Sequence, residues 1–229
     1  MEVNYKSENF NISKVGQDIH LIPKSGEYSN LLIWLHGFGS TPEEYISIFE
    51  GSGEFNILPP KTKILLLAAP VVPITKFKGT TISSWYDINN DNEHNFNDVI
   101  KNSQKIMKII KNEGKRIGFE HIVVGGFSQG ACMSFYIGYN LPFAIGGIIV
   151  CSGELFQQVE ILEGNEKLKV FIGHCEDDDV IAYSKMKKSI ERIKDKENVE
   201  IHTYKNSGHS ITHDEFIEIG KFIQKIFNP

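Results

Sequence analysis

Short apolar runs recur along the chain and are separated by longer amphipathic stretches. Most of these runs are continuous rather than alternating, which is typical of strands that are buried on both faces. They are DIHLI at 18–22, LLIWL at 31–35, ILLLAAP at 64–70, HIVVGG at 121–126, AIGGIIVCS at 144–152, LKVFIG at 168–173 and VEIHTY at 199–204. Strands that alternate with helices predict a mainly parallel sheet with helices on both faces, an α/β fold.

The stretches between the runs carry helical periodicity. Apolar residues keep one face from 96 to 111, and Gly114 supplies a stop for that helix. A further helix is predicted over about 180–195, and the last begins at THDE, where Thr212 and Glu215 have the spacing of a capping box. In sheets of this kind catalytic groups gather in the loops at the C-terminal ends of the strands, so candidate chemistry is expected there.

Length and composition favour one domain. The 229 residues are 41% hydrophobic and 23% charged, which is enough to bury a full core. The chain has no internal repeat, no linker rich in Pro or Ser, and no abrupt change of composition. We therefore predict a single domain over 1–229, with 1–29 as an N-terminal strand and loop extension of that domain.

Charge and cysteine content restrict the partners and the compartment. The net charge is -5, and the longest basic cluster, SKMKKSIERIKDK, is interrupted by acids, so nucleic-acid binding is not expected. The N-terminus is polar, and no apolar run approaches the roughly 20 residues of a spanning helix, so no signal peptide or transmembrane segment is expected. Three cysteines, none in a CxxC pair, fit a reducing compartment, and we expect a cytoplasmic protein.

One serine lies where a nucleophile would be presented. Ser128 stands between Gly126 and Gly130 in GFSQG, directly after the apolar run HIVVGG and before the helical run ACMSFYIGYN. A strand, a sharp turn and a helix are what a nucleophile elbow requires, because flanking glycines let the backbone turn while the serine stands clear. The alternative is a glycine turn needed only for close packing.

A serine needs a base and an acid, and both follow Ser128 in loops behind later strands. The acids are those of HCEDDDV, after LKVFIG, and the histidine is His209 of KNSGHSITHDE, after VEIHTY. His202 lies inside a predicted strand and His213 in the first turn of a capped helix, so we choose His209 as the base. The order serine, acid, histidine is that of the α/β-hydrolase architecture.

The segment WLHGFGS offers a means of stabilising an oxyanion. It follows the predicted strand LLIWL, so the amide of Phe38 can point at a tetrahedral intermediate from one side. The amide of Gln129, at a helix N-terminus beside Ser128, can supply the second donor. His36 is interpreted as a structural member of this loop rather than as a second base.

Five motifs together resemble one known family. LLIWLHGFG, LAAPVVPIT, SSWYDI, VVGGFSQGA and YKNSGHSI, from about Asn30 to the C-terminus, are similar to the phospholipase/carboxylesterase family and in particular to its acyl-protein thioesterases. The resemblance implies a single-domain α/β-hydrolase fold that hydrolyses thioester and oxygen-ester bonds to fatty acyl chains with no metal or cofactor. The catalytic triad that it implies is Ser128, Asp177 and His209, and its oxyanion amides fall on Phe38 and Gln129.

Three neighbouring acids compete for the third position of the triad. Counting back from Val180 assigns Asp177, while Asp178 and Glu176 stay open as alternatives. The chain also departs from the family where Ser40 replaces a usual acid and where the order of a His-Gly pair is reversed at 173–174. These departures keep a catalytically silent hydrolase-fold binding protein among the hypotheses.

Apolar residues in two loops are candidates for substrate binding. A groove for an acyl chain is predicted from Val72, Ile74, Phe77, Trp85, Leu155 and Phe156. The alternative is that these side chains only cover the edge of the sheet.

The leading functional hypothesis is a serine hydrolase that removes fatty acyl groups from S-acylated proteins, with acyl-ester lipids such as lysophospholipids as further substrates. A carboxylesterase of short or medium acyl esters is the alternative. Any membrane contact would be a transient one with the membrane surface.

Overall fold

The computed structural model describes residues 5–50 and 58–228. Its strands are Phe10–Val15 (β1), Asp18–Pro23 (β2), Asn30–Leu35 (β3), Thr62–Leu67 (β4), Val71–Ile74 (β5), Thr80–Ser83 (β6), Ile122–Phe127 (β7), Gly147–Cys151 (β8), Val170–Cys175 (β9) and Val199–Tyr204 (β10). Its α-helices are Ile46–Phe49 (α1), Phe96–Ile117 (α2), Gln129–Asn140 (α3), Tyr183–Ser189 (α4) and His213–Phe227 (α5).

Eight strands form one sheet in the order β1-β2-β4-β3-β7-β8-β9-β10. The strands from β4 to β10 in this order run parallel, while β2 pairs antiparallel with both β1 and β4. Each of the seven apolar runs contributes one strand to this sheet, which confirms the predicted mainly parallel architecture. The strands β5 and β6 form a separate antiparallel hairpin.

Helices cover both faces of the sheet, as predicted. Strand β3 shows how the faces are divided: Leu31, Ile33 and Leu35 belong to a core shared with α2, α3 and α4. Its alternate residues Leu32 and Trp34 belong to a second core, shared with α1 and α5. Because every residue of β3 is buried, the run reads as continuously apolar in the sequence.

Two helix boundaries differ from the prediction. Helix α2 does not end at Gly114 but continues to Ile117. Gly114 is buried against the ring of Phe119, where a Cβ atom would lie 2.1 Å from Cδ1, so this glycine is needed for packing and is not a helix stop. The helix ends instead at Gly118, whose φ of 92° suits a glycine. Helix α4 covers only Tyr183–Ser189 of the predicted 180–195, and turns follow it to 195. The last helix begins after Thr212, as predicted.

No helix within the described ranges is both long enough and apolar enough to cross a lipid bilayer.

Candidate active site

Ser128 occupies a sharp turn between β7 and α3. Its φ of 53° and ψ of -117° lie outside the regions that non-glycine residues usually adopt. The backbone N–H of Ser128 donates to the carbonyl oxygen of Cys151 at 2.9 Å, which ties the turn to the end of β8. Strained backbone of this kind persists only where its surroundings enforce it, and it concentrates at functional sites.

The two glycines that flank Ser128 allow the turn to approach β3. A Cβ atom on Gly126 would lie 2.5 Å from the carbonyl carbon of Gly130. One on Gly130 would lie 2.0 Å from the carbonyl oxygen of Leu35. Both glycines are therefore needed for close packing of the turn against β3. The same packing fixes the position of Ser128 at the end of β7.

Gly130→Ala is expected to destabilise the protein by about 3 kcal/mol or more, because its methyl group would overlap backbone that cannot rotate away. Thermal unfolding of the purified variant measures the effect. Gly16→Ala is the matched control: Gly16 has a φ of 67° but open space around it, so only the conformational cost of about 1 kcal/mol is expected. Equal melting temperatures for Gly130→Ala and the wild type would contradict the packing argument.

Three side chains from three different loops form a continuous hydrogen-bonded chain. The hydroxyl of Ser128 lies 2.8 Å from Nε2 of His209, and Nδ1 of His209 lies 2.7 Å from Oδ2 of Asp178. Since the carboxylate accepts from Nδ1–H, Nε2 is free to accept from the serine. The imidazole also packs on the ring of Phe127, with centroids 4.8 Å apart. The loops follow β7, β9 and β10, at the C-terminal edge of the sheet.

The assignment of Asp177 as the triad acid is wrong in this geometry, and Asp178 takes its place. The Asp177 side chain is exposed at the surface and accepts hydrogen bonds from the amides of Ser207 and Gly208 at 3.4 and 3.1 Å. The Gly208 amide lowers the pKa of Asp177. Asp177 therefore supports the loop that carries His209 without touching the imidazole. Glu176, the other alternative, lies 3.2 Å from Nζ of Lys205.

Backbone amides fix the carboxylate oxygen of Asp178 that does not contact His209. Its Oδ1 accepts from the amides of Val180 and Ile181 at 2.9 and 2.8 Å, and its side chain is fully buried. His174 lies 3.4 Å from Oδ2 and donates from Nε2 to the carbonyl oxygen of Ile181 at 2.7 Å. Burial lowers the pKa of His174, which favours the neutral imidazole beside the carboxylate. No motif in the sequence indicates this role for His174.

Phe38 and Gln129, the predicted oxyanion donors, lie in the loop after β3 and at the first position of α3. Gln129 opens α3, so its N–H has no acceptor within the helix. Its buried side chain is fixed: Oε1 accepts from the amide of Trp85 at 2.8 Å, and Nε2 donates to the carbonyl oxygen of Tyr86 at 2.8 Å. Phe38 follows β3, and the next amide, that of Gly39, donates to Ser83 at 2.8 Å.

His36 is a structural member of this loop, as interpreted from the sequence. Its Nδ1 donates to the carbonyl oxygen of Gly37 at 2.7 Å, and its Nε2 accepts from the amide of Ala69 at 3.0 Å. Burial lowers the pKa of His36, which agrees with a neutral ring whose two nitrogens are both hydrogen-bonded to the backbone. The indole of Trp85 donates to the carbonyl oxygen of His36 at 2.8 Å and adds a further constraint.

A neighbouring carboxylate, that of Glu44, compensates for the serine at position 40, where the family usually has an acid. The Ser40 hydroxyl donates to Oε2 of Glu44 at 2.9 Å, and the Thr41 amide donates to Oε1 of the same side chain at 3.1 Å. A carboxylate four residues further along therefore caps this loop.

The predicted acyl groove is only partly present. Ile74, Trp85 and Leu155 are at most 2% exposed and belong to the core, so they cover the sheet instead of lining an open groove. Val72 and Phe77 lie on the β5–β6 hairpin, and the Phe77 ring, 43% exposed, stacks on Phe38 at 5.9 Å. Of the six residues predicted for the groove, Val72 and Phe77 are the two whose side chains are accessible.

Phe156, the remaining candidate, is buried and lines, together with Leu155, a cleft of about 750 Å³ that includes none of the three triad residues. The buried carboxylate of Glu154 in this cleft lies 3.0 Å from Nε2 of His94 and 2.8 Å from Nζ of Lys185. Sequence reasoning missed this cluster because its members lie far apart along the chain and each is unremarkable alone.

The chain matches the Phospholipase/Carboxylesterase family over residues 17–227. Acyl-protein thioesterase 1 of Mycosarcoma maydis is 28% identical over 227 residues, with 89% of this chain and 94% of that protein covered. Acyl-protein thioesterase 1 of Gibberella zeae is 29% identical over 230 residues, with 91% and 95% covered.

Solved structures confirm the fold. Acyl-protein thioesterase 2 of Zea mays superposes with a TM-score of 0.78 at 21% identity, covering 93% of this chain and 100% of that one. SOBER1 of Arabidopsis thaliana superposes with a TM-score of 0.77 at 23% identity, covering 87% and 99%. With the family match over nearly the whole length, the chain is a serine hydrolase that belongs to the phospholipase/carboxylesterase family of α/β-hydrolases.

Proposed function

We propose that this protein hydrolyses fatty-acyl thioesters of S-acylated proteins, and related oxygen esters, through an acyl-enzyme on Ser128. The observation that carries the proposal is the chain of two short hydrogen bonds from Ser128 through His209 to Asp178. The geometry meets the requirement for an activated serine: the base touches the nucleophile, and a buried carboxylate orients the base.

The reaction follows from this arrangement. His209 takes the proton of the Ser128 hydroxyl as the oxygen attacks the acyl carbonyl carbon, and Asp178 stabilises the imidazolium that forms. The amides of Phe38 and Gln129 receive the developing oxyanion, each contributing about 3 to 4 kcal/mol. The C–S or C–O bond then breaks, and His209 returns the proton to the leaving thiol or alcohol. Water, deprotonated by the same imidazole, attacks the acyl-serine and releases the acid.

An apolar rim beside the serine supports an acyl substrate. This rim includes Phe38 and Phe77, whose rings stack with centroids 5.9 Å apart, and the hairpin that carries Phe77 is tied to the oxyanion loop by the hydrogen bond from the Gly39 amide to the carbonyl oxygen of Ser83. Val71 on the hairpin and Val180 beside the triad acid are 70% and 65% exposed. The curated relatives that share the family are named acyl-protein thioesterases, which agrees with this substrate class.

The burial of Ile74, Trp85 and Leu155 favours a second candidate, a carboxylesterase of short or medium acyl esters. With these side chains inside the core, the accessible apolar surface is shallower than the groove predicted from the sequence. Chain-length dependence separates the two functions.

Hydrolysis of a palmitoyl-cysteine peptide, a lysophospholipid and a series of acyl esters from butyrate upward tests the proposal. We expect kcat/KM to rise about fourfold for each methylene that the rim covers, since burial of a methylene contributes about 0.8 kcal/mol. Phe77→Ser should flatten this dependence and leave butyrate hydrolysis unchanged. A rate that is highest for butyrate and falls with length would favour the carboxylesterase, and no hydrolysis with no fluorophosphonate labelling would favour the silent binding protein.

The compartment is proposed on chemical grounds. Cys132, Cys151 and Cys175 are all free thiols, as expected of a protein kept in the reducing cytoplasm.

A further inference from the structure

A buried carboxyl group lies beneath the active site and has no role in the reaction described above. Glu215 stands in the first turn of α5, where its amide donates to the hydroxyl of the N-cap Thr212 at 3.0 Å. Its side chain turns inward against Gly173, where a Cβ atom would lie 2.1 Å from Oε1. The residue is fully buried, and among the described residues neither oxygen has a hydrogen-bond partner of full geometry, although the Cys151 thiol and the Thr212 amide interact with the carboxyl as donors.

The groups that face this carboxyl from the sheet are uncharged at neutral pH. They are the thiols of Cys151 on β8 and Cys175 on β9 and the phenol of Tyr204 on β10, and Glu215 contributes to the raised pKa of each. The Tyr204 hydroxyl is itself buried without a hydrogen-bond partner among the described residues. Further along β10, His202 lies 3.7 Å from Glu200.

On α5 itself the neighbouring ionisable groups are His213, Asp214 and Glu218. Of these, Glu218 pairs with Lys221 at 2.6 Å, and Asp214 lies 3.9 Å from His213. No cation among the described residues forms an ion pair with Glu215. Burial raises the pKa of Glu215 to about 7, and the Cys151 thiol and the Thr212 amide offset only part of that effect.

Backbone contacts connect this cluster to the triad. The Cys151 carbonyl accepts the amide of Ser128 at 2.9 Å, and the Gly173 carbonyl accepts the amide of Ser152 at 2.9 Å. The Cys175 sulfur lies 4.0 Å from the carbonyl oxygen of Ser210, the residue after His209. Glu215 therefore packs near three parts of the site. These are β9, which precedes Asp178; β8, whose Cys151 carbonyl fixes the serine turn; and the segment that carries His209.

We propose that Glu215 is a positioning residue that acts as a neutral carboxylic acid, holding the start of α5 and the His209 loop against β8 and β9. The proposal rests on the triad mechanism given above. When the carboxyl releases its proton to solvent, a charge is left among two thiols, a phenol and apolar side chains. Such a charge must gain a new donor or turn outward, and either movement displaces the helix start and with it His209.

The pH dependence of the rate separates this role from a packing role. A hydrolase whose base is histidine gains activity as the imidazole loses its proton and then keeps a plateau. Ionisation of Glu215 adds an alkaline decline to that profile. We therefore expect kcat/KM for p-nitrophenyl butyrate to fall in the wild type by about tenfold or more between pH 7 and pH 9.

Glu215→Gln is the decisive variant, because glutamine keeps the shape and the donor but cannot ionise. It should remain active and hold its plateau to pH 9, and Glu215→Leu, which keeps only the volume, should also lose the alkaline decline. Glu218→Gln, on the same helix and partly exposed, is the matched control and should retain the wild-type profile. Circular dichroism at each pH verifies that the variants are folded.

The outcomes are distinguishable from those of the proposed function. Fluorophosphonate labelling and butyrate hydrolysis at pH 6.5 test the triad, and their absence in the wild type would defeat the proposed function. If the wild type is active but Glu215→Gln shows the same alkaline decline, or if neither declines, the role assigned to Glu215 is overturned and the triad stands.

Discussion

Ser128→Ala is expected to lower kcat/KM for every ester and thioester substrate by about 10^5-fold or more, because no other group can form the acyl-enzyme. The variant should also lose all labelling by a fluorophosphonate. Its folding is expected to be intact, since the Ser128 side chain makes its hydrogen bond to His209 alone among the described residues and the turn is built by backbone contacts.

Ser134→Ala is the matched control for that experiment. Ser134 lies on α3, the helix that follows Ser128; it is buried, and its hydroxyl donates to the carbonyl oxygen of Gly130 at 3.0 Å. It should keep nearly full activity. A Ser128→Ala protein that retains more than about a tenth of the wild-type rate would show that the nucleophile lies elsewhere.

Asp178→Asn is expected to lower kcat about 10^4-fold, which is the second largest effect. The amide removes the negative charge that stabilises the imidazolium and can present a donor to Nδ1, which favours the wrong tautomer of His209. Binding of substrate should change little, so the loss should appear in kcat rather than in KM. Single-turnover acylation by a chromogenic ester measures the step directly.

Asp177→Asn is the neighbouring control, and the pair decides which aspartate completes the triad. Asp177 only accepts from the Ser207 and Gly208 amides in an exposed position, so its replacement should cost less than about tenfold. If Asp177→Asn lost more activity than Asp178→Asn, the acid assigned from the hydrogen bonds would be wrong. Equal melting temperatures for the two variants would exclude a difference in folding.

The central sheet could be predicted from the sequence because burial on both faces leaves a continuous apolar run. The strands that were missed lack that signature. The first four residues of β1 alternate between partly buried and exposed and its last two are exposed, as expected at the edge of a sheet, and β5 and β6 have only four residues each and lie outside the main sheet. The predicted helix end at Gly114 was wrong because a glycine can be needed for close packing against a ring as well as for a helix cap.

Within the site, the turn at Ser128 and the choice of His209 could be predicted because each depends on local chain context. The acid could not, since three adjacent aspartates differ only in the direction of their side chains. Counting from Val180 gave Asp177, but the loop closes on Asp178 through the amides of Val180 and Ile181. The role of Glu215 was hidden for a similar reason: its spacing from Thr212 predicts a capping box, and only the structure shows that the carboxyl turns toward Gly173.

The burial of all three thiols has a practical consequence for assay design. Cys132, Cys151 and Cys175 are at most 1% exposed, and burial raises the pKa of each, so the reactive thiolate is disfavoured and shielded. A thiol-reactive dye added to the folded enzyme will therefore react with the thiol released from a thioester substrate rather than with the protein. Turnover of acylated peptides can be followed continuously in this way, without replacing a single cysteine.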